Sequence, residues 1–300
     1  MKQDKAMAEL RQKHTFKGKG TGFHIDRVDD RDRTITLDES IDLPSSVDLR
    51  EWCSPVSDQG LLDSCTAQAA VGLVEFFQRK AYGKHLDASS LFLYKVTRKL
   101  LGRDEDSGAY NRTTMKALAL FGVPPEEYWP YDESKFNDEP SAFCYSLASR
   151  YRAIEYFRID KKGRSGETNL QQIKLNLAAN RPIMFGMLCY EPCMDQAEET
   201  GKIPFPTNSQ VPNDPTHPYD YGHNMVAVGY DDSIKVKNTA SEGEEATGAL
   251  LVRNSWGTDW GDGGYGWLPY AYVLRRRAMD WWIMLKGEWL DTGEFEPYHS

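Results

Sequence analysis

Apolar positions recur at helical spacing in the first half of the chain and in short strand-like runs in the second. In "CTAQAAVGLVEFFQRKAYG", which begins at Cys65, Ala67, Ala70, Val71, Val74 and Phe77 fall at helical intervals and Gly83 lies just past the end. The pattern predicts a central, mostly buried helix. "SSLFLYKVTRKLLG" (89–102) and "NRTTMKALALFG" (111–122) each open on a Ser or Asn suited to an N-cap, carry apolar residues at i, i+3 and i+4, and stop at Gly. Beyond residue 150 the runs "YRAIEYFRI" (151–159), "PIMFGMLCY" (182–190), "NMVAVGYDD" (224–232), "ALLVRNSWG" (249–257) and "DWWIML" (280–285) read as strands, with one helix at about 167–180. "SIKVKNTASEGEEATG", between the third and fourth runs, reads as a loop or hairpin excursion. A helical half followed by a strand-rich half predicts an α+β protein with a site between the two. Residues 1–42 lack this periodicity and end at "IDLPSSVDLR", where Pro and Ser punctuate the chain. They read as an appendage.

Composition narrows the classes. With 300 residues, 40% of them hydrophobic, the chain has material for one large core or two modest ones. A formal charge of -9 argues against nucleic acid as a partner, which requires a concentrated basic face. The charged start "MKQDKAMAELRQKH" has no secretory apolar stretch, and no run of membrane-spanning length follows. The expectation is a cytoplasmic protein with no membrane partner. Five cysteines, an odd and sparse set in a long chain, disfavour a disulfide scaffold and suit a reducing compartment.

The chemistry starts at Cys65. A cysteine opening an apolar helix is ordinarily a small hydrophobe; it becomes a nucleophile when the helix N-terminus and an imidazolium stabilise its thiolate. Of six histidines, His223 heads the apolar run "HNMVAVGYDD", where a sheet would fix its backbone. His217, in "NDPTHPYDYG", is the competing base and lies in a proline-bounded loop. Asn254 ends the next run and supplies an acceptor to orient the imidazole, with Trp256 and Trp260 near enough to shield that bond from water. Gln59 stands six residues before Cys65 on a Gly-containing turn, where its amide and the Cys65 N–H would form an oxyanion hole. "CYEPC" (189–193) has no second Cys or His pair at zinc-binding spacing.

These residues sit in "VDLREWCSPVSDQGLLDSCTAQA", "GHNMVAVGYDD" and "LLVRNSWGTDWGDGGYG", which in that order resemble the papain family of cysteine peptidases. "DSGAYNRTTMKALALFGV" and "PEEYWPYD" extend the likeness, which spans about residues 43–286 and points to the short, disulfide-poor bacterial branch. Departures from the C-G-[SA]-C-[WY] signature are Leu62, which removes a bridging cysteine, and Thr66, which replaces a bulky aromatic without removing a catalytic atom. Asn224 stands where a small residue is common.

The resemblance implies a two-lobed fold: a helical lobe at about 53–148, an antiparallel β-barrel-like lobe at about 149–286, and the cleft between them. The peptidase domain would be 43–290 and the C-terminal tail 291–300. It implies acyl transfer by Cys65 as nucleophile, His223 as general base and acid, Asn254 orienting His223, Gln59 in the oxyanion hole and Trp256 as shield, with no metal or organic cofactor. The thiolate–imidazolium pair is expected to exist before substrate arrives. Gly108 and Ala109 would pair with an extended peptide or protein substrate as an added strand. Met279 would floor an apolar pocket favouring Leu, Val or Phe two residues before the scissile bond. Residues 1–42, with Gly18, Gly20 and Gly22 around Phe23, would be a self-inhibitory segment. A catalytically silent peptide-binding module, and an amidase or transferase using the same acyl-enzyme, are the competing functions.

Overall fold

The computed structural model describes residues 15–83, 86–216 and 218–289. His14, His85, His217 and His299, the first fourteen residues and the 291–300 tail lie outside the described residues. The chain runs β1 (Phe23–His24), β2 (Ser46–Asp48), α1 (Cys65–Tyr82), α2 (Ser90–Leu101), β3 (Ala109–Tyr110), α3 (Asn111–Phe121) and α4 (Ala142–Ala148). It continues with β4 (Tyr151–Arg158), α5 (Gly166–Ala178), β5 (Ile183–Cys189), α6 (Glu191–Thr200), β6 (Tyr221–Lys237), β7 (Glu245–Arg253), β8 (Tyr265–Pro269), α7 (Ala271–Leu274) and β9 (Ala278–Trp289).

The strands from β4 onward form one antiparallel sheet in the order β4-β9-β5-β6-β7-β8, with β2 added along β6. The fold is α+β as expected, and the sheet of the strand-rich lobe is open, with β4 and β8 at its edges, not a closed barrel. β5 is buried at every position because both of its faces are covered, which explains its unbroken apolar run.

α1 is the central helix that its pattern predicts: every residue from Cys65 to Phe76 is buried, and the helix ends on Gly83 at φ 67° with its N–H on the Arg79 carbonyl. Ser89 caps α2 by accepting from the Phe92 N–H. The expected Asn cap of α3 is corrected: Tyr110 is the N-cap, and Asn111 is the first helical residue, its side-chain amide donating to the Asp280 carbonyl at 2.9 Å. β6 and β7 extend past their apolar runs into the hairpin around residues 238–244. Helix and sheet meet where α1 lies against β6 and β7. A Cβ built on Gly72 would lie 2.6 Å from Arg253 Nη1, so glycine leaves room there for a guanidinium that also donates to Ser54 Oγ at 3.0 Å and to the Pro55 carbonyl at 2.6 Å.

Residues 15–42 are not an appendage. They cross the boundary between helices and sheet, pairing Phe23 and His24 in parallel with Ala109 and Tyr110, bridge from Thr34 to Arg158 at the end of β4, and reach Gln172 of α5, whose Oε1 accepts the Leu37 N–H at 2.8 Å. The periodicity could not reveal this, because the segment is held by backbone hydrogen bonds and a few isolated side chains and needs no apolar repeat.

Candidate active site

Cys65 is the first residue of α1, so its thiol stands at the positive end of an 18-residue helix. The preceding Ser64 does not cap the helix; its hydroxyl meets Tyr131 Oη at 2.7 Å, and Tyr131 donates to the Gln59 carbonyl at 2.8 Å. This brace fixes the turn carrying Gln59. The Gln59 side chain, fully buried, accepts from Ser255 Oγ at 2.6 Å and donates through Nε2 to the Leu62 carbonyl at 2.7 Å. The Ser255 carbonyl in turn accepts the Gln59 N–H at 2.9 Å, so the turn before α1 is stitched to the loop after β7.

His223 lies on β6 opposite Met187 of β5. Its Nε2 is 2.7 Å from Asn254 Oδ1, which also accepts the Ser255 N–H at 2.8 Å, so Nε2 carries the proton and Nδ1 the lone pair. The ring stacks on Trp256 with centroids 4.4 Å apart, and among the described residues Nδ1 has no hydrogen-bond partner. The backbone N–H of Asn224, the residue next to His223, favours the Cys65 thiolate and opposes its burial. The structure therefore brings together His223, Asn254, Gln59 and Trp256, with Cys65 at the head of α1 beside Asn224. Sequence reasoning missed Tyr131, Ser255 and Ser64, whose roles depend on contacts between loops distant in the chain.

The cleft is filled by the chain's own segment. Phe16 stacks on Trp256 at 5.3 Å. The Gly20 carbonyl accepts from Gln59 Nε2 at 3.0 Å and from Trp256 Nε1 at 3.2 Å, while the Gly20 N–H donates to the Gly60 carbonyl at 2.7 Å. A Cβ on Gly20 would lie 2.0 Å from the Leu62 carbonyl oxygen, so only glycine passes this point. The Gly22 N–H donates to the Gly222 carbonyl at 3.2 Å, and its carbonyl accepts the Ala109 N–H at 2.9 Å. The Gly108–Ala109 edge thus carries an added strand, and that strand belongs to the chain itself. The Phe23 ring, 5% exposed, rests on Gly186, where a Cβ would lie 2.0 Å from its Cζ. Gly186 is a wall residue that the sequence reading did not single out; a glycine inside an otherwise apolar strand is the signal for such a close approach. Met279 lies opposite Gly186 in β9 and lines a separate cavity of about 470 Å³ beneath residues 25–34.

Covered in this way, the Cys65 thiol and the His223 imidazole are both pushed toward their neutral forms. Burial, followed by the Asp63 charge, pushes the Cys65 thiol well up. Burial lowers His223 to about 4, with the Asn254 hydrogen bond opposing. The ion pair expected before substrate arrival is disfavoured while the segment excludes water. Cys189 and Cys193, the "CYEPC" pair, are both buried, at the end of β5 and in α6.

Comparison with known proteins places the site in context. The profile described as "Papain family cysteine protease" matches residues 43–272. The crystal structure of xylellain, a cysteine protease from Xylella fastidiosa, shares 31% identity over 89% of this chain and 96% of that one, with a TM-score of 0.73. An uncharacterized peptidase C1-like protein of Acanthamoeba polyphaga mimivirus is 33% identical over 83% of this chain and 75% of its own. Digestive procathepsin L 3 of Tenebrio molitor larval midgut shares the fold, with a TM-score of 0.62 at 17% identity over 93% of this chain and 79% of that one.

Proposed function

The chain belongs to the papain family of cysteine peptidases, hydrolases of peptide bonds, and we propose that it works as an endopeptidase through Cys65 and His223, restrained by its own residues 15–42. The observation that supports this most is the His223–Asn254 contact at 2.7 Å, which leaves an imidazole lone pair on the strand whose Asn224 N–H favours the Cys65 thiolate. In this reading residues 1–42 are the restraining segment, 43–290 the peptidase domain and 291–300 a tail.

Displacing the segment returns water to the cleft and relieves the burial that keeps the pair neutral. The Cys65 proton then passes to His223, and the N-terminus of α1 stabilises the thiolate. The thiolate attacks the substrate carbonyl, forming a carbon–sulfur bond, and the oxyanion takes the hydrogen bonds of Gln59 Nε2 and the Cys65 N–H. Collapse breaks the carbon–nitrogen bond as His223 gives its proton to the leaving amine. A water molecule, deprotonated by His223, then attacks the thioester and frees the acid and Cys65. Asn254 holds the ring in one tautomer throughout. Gly108 and Ala109 bind substrate backbone, and the space taken by Phe23 receives an apolar substrate side chain.

The test is intact-mass analysis after treatment with an epoxysuccinyl peptide inhibitor, on the full-length chain and on Gly20→Val, which cannot seat the segment. A single adduct on Cys65, faster in the variant, is expected. No adduct on either folded protein overturns the reading.

A further inference from the structure

Beyond the cleft, residues 25–34 carry two carboxylates into a buried cluster of charges. Arg112 of α3 holds Asp32 in its fork, with Nε to Oδ1 at 2.6 Å and Nη2 to Oδ2 at 2.6 Å. Arg158, at the end of β4, is taken by Asp160, with Nε to Oδ1 at 3.1 Å, and by Asp280 of β9 through Nη2; Asp32 also lies 3.5 Å from its Nη1. Both guanidinium groups are thereby engaged by three carboxylates.

Asp26 is the fourth. Its side chain is 1% exposed, and Arg112 Nη1 approaches it only to 3.8 Å. Neutral donors hold it instead: the Arg112 backbone N–H at 3.1 Å and Trp282 Nε1 at 3.1 Å. Its own N–H donates to Asp280 Oδ2 at 2.6 Å, so the two acids are neighbours. Asp280 sits in an irregularity of the β5–β9 pairing at φ 54°, a costly conformation for a non-glycine residue. Tyr156 of β4 lies near Asp32 as a neutral phenol. Asp30, Lys161, Lys162, Arg164, Arg276 and Asp29, which pairs with Arg31, line the adjoining cavity, and none of its Lys161, Lys162, Arg164 and Arg276 cations forms an ion pair to the four clustered acids among the described residues.

Asp160, Asp280, Arg112 and Arg158 balance one another on the domain. Docking adds Asp26 and Asp32 and leaves the cluster two negative charges in excess, a cost relieved by taking up a proton. We propose that docking of the segment takes up a proton at the neighbouring acids Asp26 and Asp280, so the segment holds more tightly as pH falls and loosens as pH rises. This deepens, and rests on, the reading of residues 15–42 as an intramolecular inhibitor.

The sign follows from linkage. Burial, opposed by Arg112, raises the proton affinity of Asp26; burial and the charge of Asp26 raise that of Asp280. Groups that bind protons more tightly when docked favour docking at low pH, and the contribution is lost as pH climbs through their docked values. The catalytic pair does not cancel it: turning thiol and imidazole into thiolate and imidazolium moves a proton within the pair and takes none from solution.

The test is hydrogen exchange of the Gly22 and Ala109 amides in the full-length chain, from about pH 5.5 to about pH 8, corrected for the intrinsic pH dependence of exchange. Protection is expected to fall about tenfold or more across this range in the wild type. It is expected to stay level in Asp26→Asn, whose amide oxygen still accepts from Arg112 and Trp282. Level protection in the wild type, or an equal fall in the variant, overturns the proposal. Labelling of Cys65 by the epoxysuccinyl peptide, taken as the wild-type to variant ratio at each pH, separates the two readings. A ratio rising as protection falls supports both; a level ratio beside falling protection leaves the proton latch standing and overturns the inhibitory reading.

Discussion

Gln59 Nε2 donates to the Gly20 carbonyl at 3.0 Å, so the amide group expected to hold a substrate oxyanion is occupied by the chain's own backbone. The contact is close because Gly20 has no side chain: a Cβ there would meet the Leu62 carbonyl oxygen, itself fixed by the same Gln59 amide at 2.7 Å. Gly20→Val therefore expels the segment without touching the domain. Labelling of Cys65 in the variant is expected to be at least about tenfold faster, equivalent to about 1.4 kcal/mol of lost docking. Equal labelling rates would show that the segment does not guard the thiol.

Gln59 itself is tested in that uncovered background. Removing one oxyanion donor costs roughly 10² to 10³ in kcat in comparable sites. Gly20→Val/Gln59→Ala is expected to lose about that factor in kcat on a peptide substrate, with KM changed much less, because the amide engages charge that develops during reaction. A loss confined to KM would assign Gln59 to ground-state binding.

The protonation state of the catalytic histidine gives a third prediction. In the covered chain His223 is lowered to about 4 by burial, so its charged form is absent at mildly acidic pH. Nitrogen NMR of the full-length chain is expected to show a neutral ring with the proton on Nε2 down to about pH 5. Gly20→Val is expected to shift the same ring to imidazolium as the thiolate forms. An imidazolium already present in the covered wild type would mean that burial does not control the pair.

The candidate set could be picked out in the sequence because each member sits at a place that pattern marks. Cys65 opens an apolar helix, His223 heads a strand, Asn254 follows one, and Gln59 lies on a glycine turn. α6 and β8 were not foreseen: "EPCMDQAEET" has few apolar positions, although Pro near its start is a helix signal, and "YGWLP" is short and glycine-flanked. The path of residues 15–42 was legible only as a suggestion of threading glycines, since backbone hydrogen bonds leave no periodic trace. That the sheet stays open was not legible, because strand patterns report pairing partners but not whether the edges meet. Asp26 and Asp280, 254 positions apart, could be joined only by coordinates.

Gly186 sets the size of the pocket that Phe23 fills, since a Cβ there would overlap the ring at 2.0 Å from Cζ. Gly186→Val has two separable consequences. In the full-length chain it is expected to loosen the segment and speed Cys65 labelling, because the aromatic ring loses its seat, worth roughly 1.5–3 kcal/mol when fully buried. In the uncovered background it narrows the pocket, so kcat/KM for substrates with Phe two residues before the scissile bond is expected to fall more than for Val. The strand should survive, because valine favours extended backbone and Gly186 is already paired with Asn224 and Met279. An equal fall for both substrates would place the specificity pocket away from Gly186, and Met279 would be the next residue to exchange.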